Sequence, residues 1–86
     1  MNSKNKKTLK AIFDEPVRSN ISWLSVEMLL RSLNSEISEG NGSRVRIALS
    51  NVRAVFHRPH PQKEIDKGTI KSLREFLIKA GVKVEI

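Results

Sequence analysis

The chain predicts an α+β domain with its elements in the order helix, helix, three antiparallel strands, helix. Two stretches, near Trp23 to Leu33 and Lys67 to Ala80, carry apolar residues at helical spacing. Between them, Arg44 to His57 alternates apolar and polar residues with a period of two, and Gly, Asn and Pro punctuate the junctions.

Taken in order, Lys4 to Phe13 places Leu9, Ile12 and Phe13 on one side of a short helix, and Pro16 bars its continuation. Its lysines, Lys6, Lys7 and Lys10, read as an ordinary solvated face, with RNA or membrane contact as the alternative. The second helix, Trp23 to Leu33, is marked by Trp23, Val26, Leu29, Leu30 and Leu33, with Ser22 placed as its N-cap. Trp23 belongs to that apolar stripe, so packing rather than base stacking is its expected role.

Glu36 to Glu39 reads as a short strand, followed by a Gly40-Asn41-Gly42 turn. A two-residue turn at Ser50-Asn51 then sets the register of a hairpin: Leu49 faces Val52, Ile47 faces Ala54, Val45 faces Phe56 and Arg44 faces His57. Period-two alternation puts Val45, Ile47, Leu49, Val52, Ala54 and Phe56 on one face, and Arg44, Arg46, Arg53 and His57, with Ala48 and Val55, on the other. Beyond Pro59 and Pro61, Asp66 is placed to cap a final helix built on Ile70, Leu73, Phe76 and Leu77, and Gly81 ends it. Val82 to Ile86 is either a frayed tail or a short extra strand.

Eighty-six residues suit one small domain that buries roughly 60% of its unfolded surface, which leaves no room for a large catalytic cleft. A formal charge of +7 favours nucleic acid, acidic protein or anionic membrane as partner. No long apolar span or signal-peptide pattern is present, so a cytoplasmic location and no membrane association are expected. The absence of cysteine excludes disulfides, thiolate metal sites and cysteine nucleophiles. Two histidines at i, i+3 in a Pro-interrupted loop, without a carboxylate pair at ligand spacing, argue against a metal site, and no cofactor is expected.

From about Ile21 to Val82 the chain resembles HicA-type toxins, the small ribonucleases of HicA–HicB toxin–antitoxin pairs. The resemblance is carried by VEMLLRSL, GNGSRVRIAL, VFHRPHP and KGTIKSLREFLIKAGV in that order, with residues 1–18 as a helical extension to the family core. It implies a double-stranded-RNA-binding-domain-like fold, mRNA as target and a HicB-like antitoxin as partner. The chain departs from the family at one point. Many members follow Gly-Ser within a residue or two by the histidine thought to be catalytic, whereas Gly42-Ser43 is followed here by Arg44, Val45 and Arg46. His60 falls where the family often has a histidine at the end of the third strand, and His57, opposite Arg44, is a candidate replacement for the missing one.

Metal-independent RNA cleavage needs a base for the 2′-hydroxyl, an acid for the leaving oxygen, and cations for the charged phosphate. Imidazole suits the first two roles near neutral pH, which makes His60 and His57 the candidate catalytic residues. Ser43, Arg44, Arg46, Arg53 and Arg58 are candidate RNA contacts from the hairpin. Lys67 and Lys71, with Arg74 at i+7, form a basic helical row that either extends this track or is a plain polar face. Two rival readings are a non-catalytic RNA-binding module and a basic domain that meets only an acidic protein partner.

Overall fold

A computed structural model describes residues 1–60 and 62–84. Pro61 of the histidine-bearing loop and the end of the expected 82–86 tail or strand lie outside that description, and residues 82–84 follow the last helix without regular structure. The elements are α1 (Ser3–Ile12), α2 (Trp23–Ser32), β1 (Glu36–Glu39), β2 (Arg44–Leu49), β3 (Val52–His57) and α3 (Lys67–Lys79). The three strands form one antiparallel sheet in the order β1-β2-β3, so the fold is α+β and consistent with a double-stranded-RNA-binding-domain-like arrangement.

The hairpin has the register expected from its turn: Arg44 pairs with His57, Val45 with Phe56, Ile47 with Ala54 and Leu49 with Val52. Ser50 and Asn51 take φ of 50° and 67°, the left-handed pair that matches a two-residue turn to the twist of its strands. Val45, Ile47, Leu49 and Phe56 are buried against the helices. Phe56 meets Phe76 of α3 edge to face at 5.9 Å between ring centroids, a favoured aromatic geometry.

Local chemistry fixes the helix ends. Ser22 accepts from the Ser25 amide at 3.2 Å and begins α2 as the sequence leads one to expect. At its other end Asn34 adopts φ 65°, while the Ser35 amide reaches the Leu30 carbonyl and the Asn34 amide reaches that of Arg31, a Schellman closure. Gly81, at φ 81°, closes α3 in the same way: its own amide reaches the Ile78 carbonyl and the Val82 amide that of Leu77. α1 begins slightly earlier than its apolar spacing suggests, because Asn2 accepts from the Asn5 amide at 2.8 Å and supplies the cap.

Trp23 is 6% exposed, and its indole N–H donates to Glu27 at 3.3 Å, which places it in the core. The return loop is pinned beside it. The Trp23 amide donates to the Lys63 carbonyl at 3.0 Å, the Ile65 amide to the Ile21 carbonyl at 2.8 Å, and Ile65 is buried. His60 therefore lies between two anchored points, the end of β3 and this short bridge.

Candidate nucleic-acid interface

Alternation along β2 and β3 leaves one face of the sheet open and basic. Arg44 and Arg46 on β2 and Arg53 and His57 on β3 are all exposed, while the other face is covered by helices. Ser38, Arg46, Ala48, Arg53 and Val55 line a shallow dish of ≈ 440 Å³ on that open face. Among the described residues, none of Arg44, Arg46 and Arg53 makes an ion pair with a carboxylate, so three guanidiniums face solvent with their charge uncompensated. A guanidinium in that state is suited to bidentate capture of phosphate.

Arg58 differs from these three. It continues the alternation of Ala54 and Phe56, and its side chain works on the helix side of the sheet. Its guanidinium donates to Glu39 at 2.8 Å and to Glu27 of α2 at 3.3 Å, while its backbone amide donates to the Ser43 carbonyl at 2.8 Å. The Glu39 hydrogen bond, reinforced by the charges of Glu39 and Glu27, raises its pKa above the usual arginine value against a smaller effect of burial. These bonds staple the end of β3 to the Gly40–Ser43 turn and to α2, holding the entry to the His60 loop in place. Ser43 is exposed at that junction, beside Gly42, whose φ of 66° favours glycine.

His57 borders a second, smaller groove of ≈ 280 Å³ where β3 meets the start of α3, lined also by Asp66, Gly68, Thr69 and Ser72. Asp66 precedes α3 as expected, but its carboxylate accepts from the Thr69 hydroxyl and makes no capping bond to a backbone amide. That hydroxyl holds the Asp66 carboxyl below the usual aspartate value, with a smaller pull from first-turn amides that lie outside capping geometry. His60 is exposed beyond the end of β3.

Arg74 does not join Lys67 and Lys71 as a free cation of the helical row. Residues 68, 69, 72, 75, 76 and 79 line the grooves beside β3, whereas Lys67 and Lys71 lie outside them in the row of Arg74. Arg74 turns toward the end of α1, where it donates to the Ile12 carbonyl at 2.5 Å, to Glu15 at 2.7 Å and to the Asp14 carbonyl. It is a clamp between helices rather than a free cation. Its position between Ile70 (i−4) and Leu77 (i+3), at the border of the apolar stripe, is the sequence signal for that role. Glu27 and Glu39 carried no comparable signal, because their partner Arg58 is remote in the chain.

The sheet and its open guanidinium face define a small basic α+β domain with an exposed cationic surface and two exposed histidines at one end. The model of the HicA toxin family, described as HicA toxin of bacterial toxin-antitoxin, matches residues 23–82, and the chain belongs to that family. No curated protein and no solved structure matches it. It is accordingly a toxin-type member of a toxin–antitoxin system, and among its described residues no helix is long and apolar enough to cross a membrane.

Proposed function

We propose that this protein binds mRNA across the face of Arg44, Arg46 and Arg53, cleaves it without a metal ion in the cytoplasm, and is silenced by a HicB-like antitoxin. The observation that carries the reading is the pairing of His57 with Arg44 on an open sheet face of a HicA-family chain. This juxtaposition sets an imidazole beside a guanidinium free to hold phosphate. In the proposed reaction one imidazole takes the 2′-hydroxyl proton, the hydroxyl attacks the adjacent phosphorus, and the second imidazole protonates the departing 5′ oxygen. Arg44 and Arg46 stabilise the charge on the phosphoryl oxygens, and Ser43 and Arg53 contact the flanking backbone. An acidic antitoxin laid over this surface neutralises the same cations and excludes RNA.

A second reading, RNA binding without cleavage, is favoured by one observation: Gly42-Ser43 is followed by Arg44, Val45 and Arg46, with no histidine before His57. Purified protein incubated in EDTA with a labelled mixed-sequence RNA and its 2′-deoxy analogue separates the two. Cleavage of RNA alone supports the nuclease, whereas salt-dependent binding of intact RNA selects the binding module.

A further inference from the structure

β3 is an edge strand, hydrogen-bonded to β2 on one side only. The Arg58 amide bonds the Ser43 carbonyl, so by alternation Phe56, Ala54 and Val52 turn their backbone groups toward β2. Arg53, Val55 and His57 turn theirs outward, and among the described residues these meet no partner. Val55, at the centre, is 54% exposed, and no proline or bulge interrupts the strand. Alongside runs a groove of ≈ 200 Å³ floored by Ala54, Phe56 and Phe76 and walled by Ser72, Glu75 and Lys79 of α3. An open edge beside a helix-walled groove is the arrangement that accepts an added strand.

We propose that the β3 edge is a docking site for an extended segment of a protein partner in which acidic residues alternate with small apolar ones. A strand added beside β3 places every second side chain on the open face, next to Arg53 and His57 and within the field of Arg46, which selects carboxylates. The intervening side chains lie over Phe56 and Phe76, which selects small apolar groups. The outward row alternates amide donors with carbonyl acceptors and so matches a polypeptide backbone rather than a phosphate chain. A second copy of this chain is a poor occupant, because pairing two β3 edges brings Arg53 and His57 against the same cationic strand in molecules that each carry +7. The site shares Arg53 and His57 with the arginine face, but strand addition takes no part in the proposed cleavage, and the proposal stands whether or not the protein cleaves RNA.

Backbone amide exchange, followed by NMR on the full chain, tests this with the blocked peptide Glu-Val-Glu-Val-Glu-Val-Glu at millimolar concentration. The expected result is at least tenfold slower exchange of the Arg53, Val55 and His57 amides. A version N-methylated on its bonding edge should bind at least tenfold more weakly, as should one with Lys for Glu. Val55→Pro removes one outward amide while sparing every bond to β2, and should abolish the effect with the fold retained. The N-methylated peptide serves the same purpose without altering the protein. No slowing at the three amides, equal binding of the N-methylated peptide, or slowing that depends on protein concentration alone would each overturn the proposal. RNA affinity measured in parallel keeps the two surfaces apart: loss of edge protection with RNA binding intact removes this site only, and the converse removes the RNA reading only.

Discussion

Replacing Arg74 with alanine should cost this protein stability and leave its RNA affinity unchanged. The Arg74 side chain is 15% exposed, and its guanidinium donates to two backbone carbonyls at the end of α1, those of Ile12 and Asp14, and to the exposed carboxylate of Glu15. A hydrogen bond from a charged donor contributes about 1.5 kcal/mol at the low end of its range, so the two carbonyls account for roughly 3 kcal/mol. The exposed pair adds at most about 0.5 kcal/mol, and water returns part of the loss by reaching the freed carbonyls. The net cost is about 2–3 kcal/mol, which in a chain of this length lowers the thermal midpoint by roughly 10–20 °C. Arg74→Lys keeps a cation near the C-terminus of α1 but cannot span all three acceptors, so it should recover less than half of the loss. Circular dichroism melts of the three proteins, with RNA binding measured well below every midpoint, make the comparison. A midpoint within a degree or two of the parent would contradict the clamp, and a tenfold loss of RNA affinity at unchanged stability would show that Arg74 is a phosphate ligand, as its spacing from Lys67 and Lys71 first suggests.

The exposed arginines should behave in the opposite way. Arg44→Ala, Arg46→Ala and Arg53→Ala combined should reduce the slope of log affinity for single-stranded RNA against log salt by about 2, at roughly 0.7 per lost phosphate contact, with the melting midpoint nearly unchanged. Ser50→Asn with Asn51→Gly should raise stability by about 0.5–1 kcal/mol in urea titration, because both positions hold left-handed φ that Asn-Gly adopts more readily. Asp66 is held below its ordinary pKa chiefly by the Thr69 hydroxyl. Its stabilising contribution is therefore fully present above the unfolded value near pH 4 and is lost as pH falls through the lower folded value. Acid titrations of Asp66→Asn and the parent should converge in that window, and a difference that persists unchanged to pH 2 would contradict the assignment.

The parts of the fold legible in the sequence are those governed by short-range rules. The hairpin register followed from one two-residue turn and a period-two pattern, and all six pairs agree with it. Ser22 and Gly81 announced their helix ends through side-chain capping and left-handed geometry, which act within a few residues. The roles of the cations were less legible. Arg44, Arg58 and Arg74 are alike in composition, yet one faces solvent, one is stapled to Glu27 and Glu39, and one clamps the end of α1. Those partners lie 19 to 62 residues away in the chain, so only the three-dimensional arrangement distinguishes a free guanidinium from an engaged one. Periodicity held a partial clue, since Arg58 shares the parity of Phe56 and Arg74 flanks Ile70 and Leu77.

The histidines at the end of the arginine face are proposed to carry out chemistry on RNA. Cleavage of a labelled mixed-sequence RNA in EDTA by the parent, His57→Ala and His60→Ala, each shown to melt as the parent does, tests that proposal most directly. RNA should be cut, its 2′-deoxy analogue spared, and at least one variant should lose activity by a hundredfold or more, the usual scale for a positioned acid or base. RNA bound but left intact by the parent, or cut equally well by both variants, would contradict it.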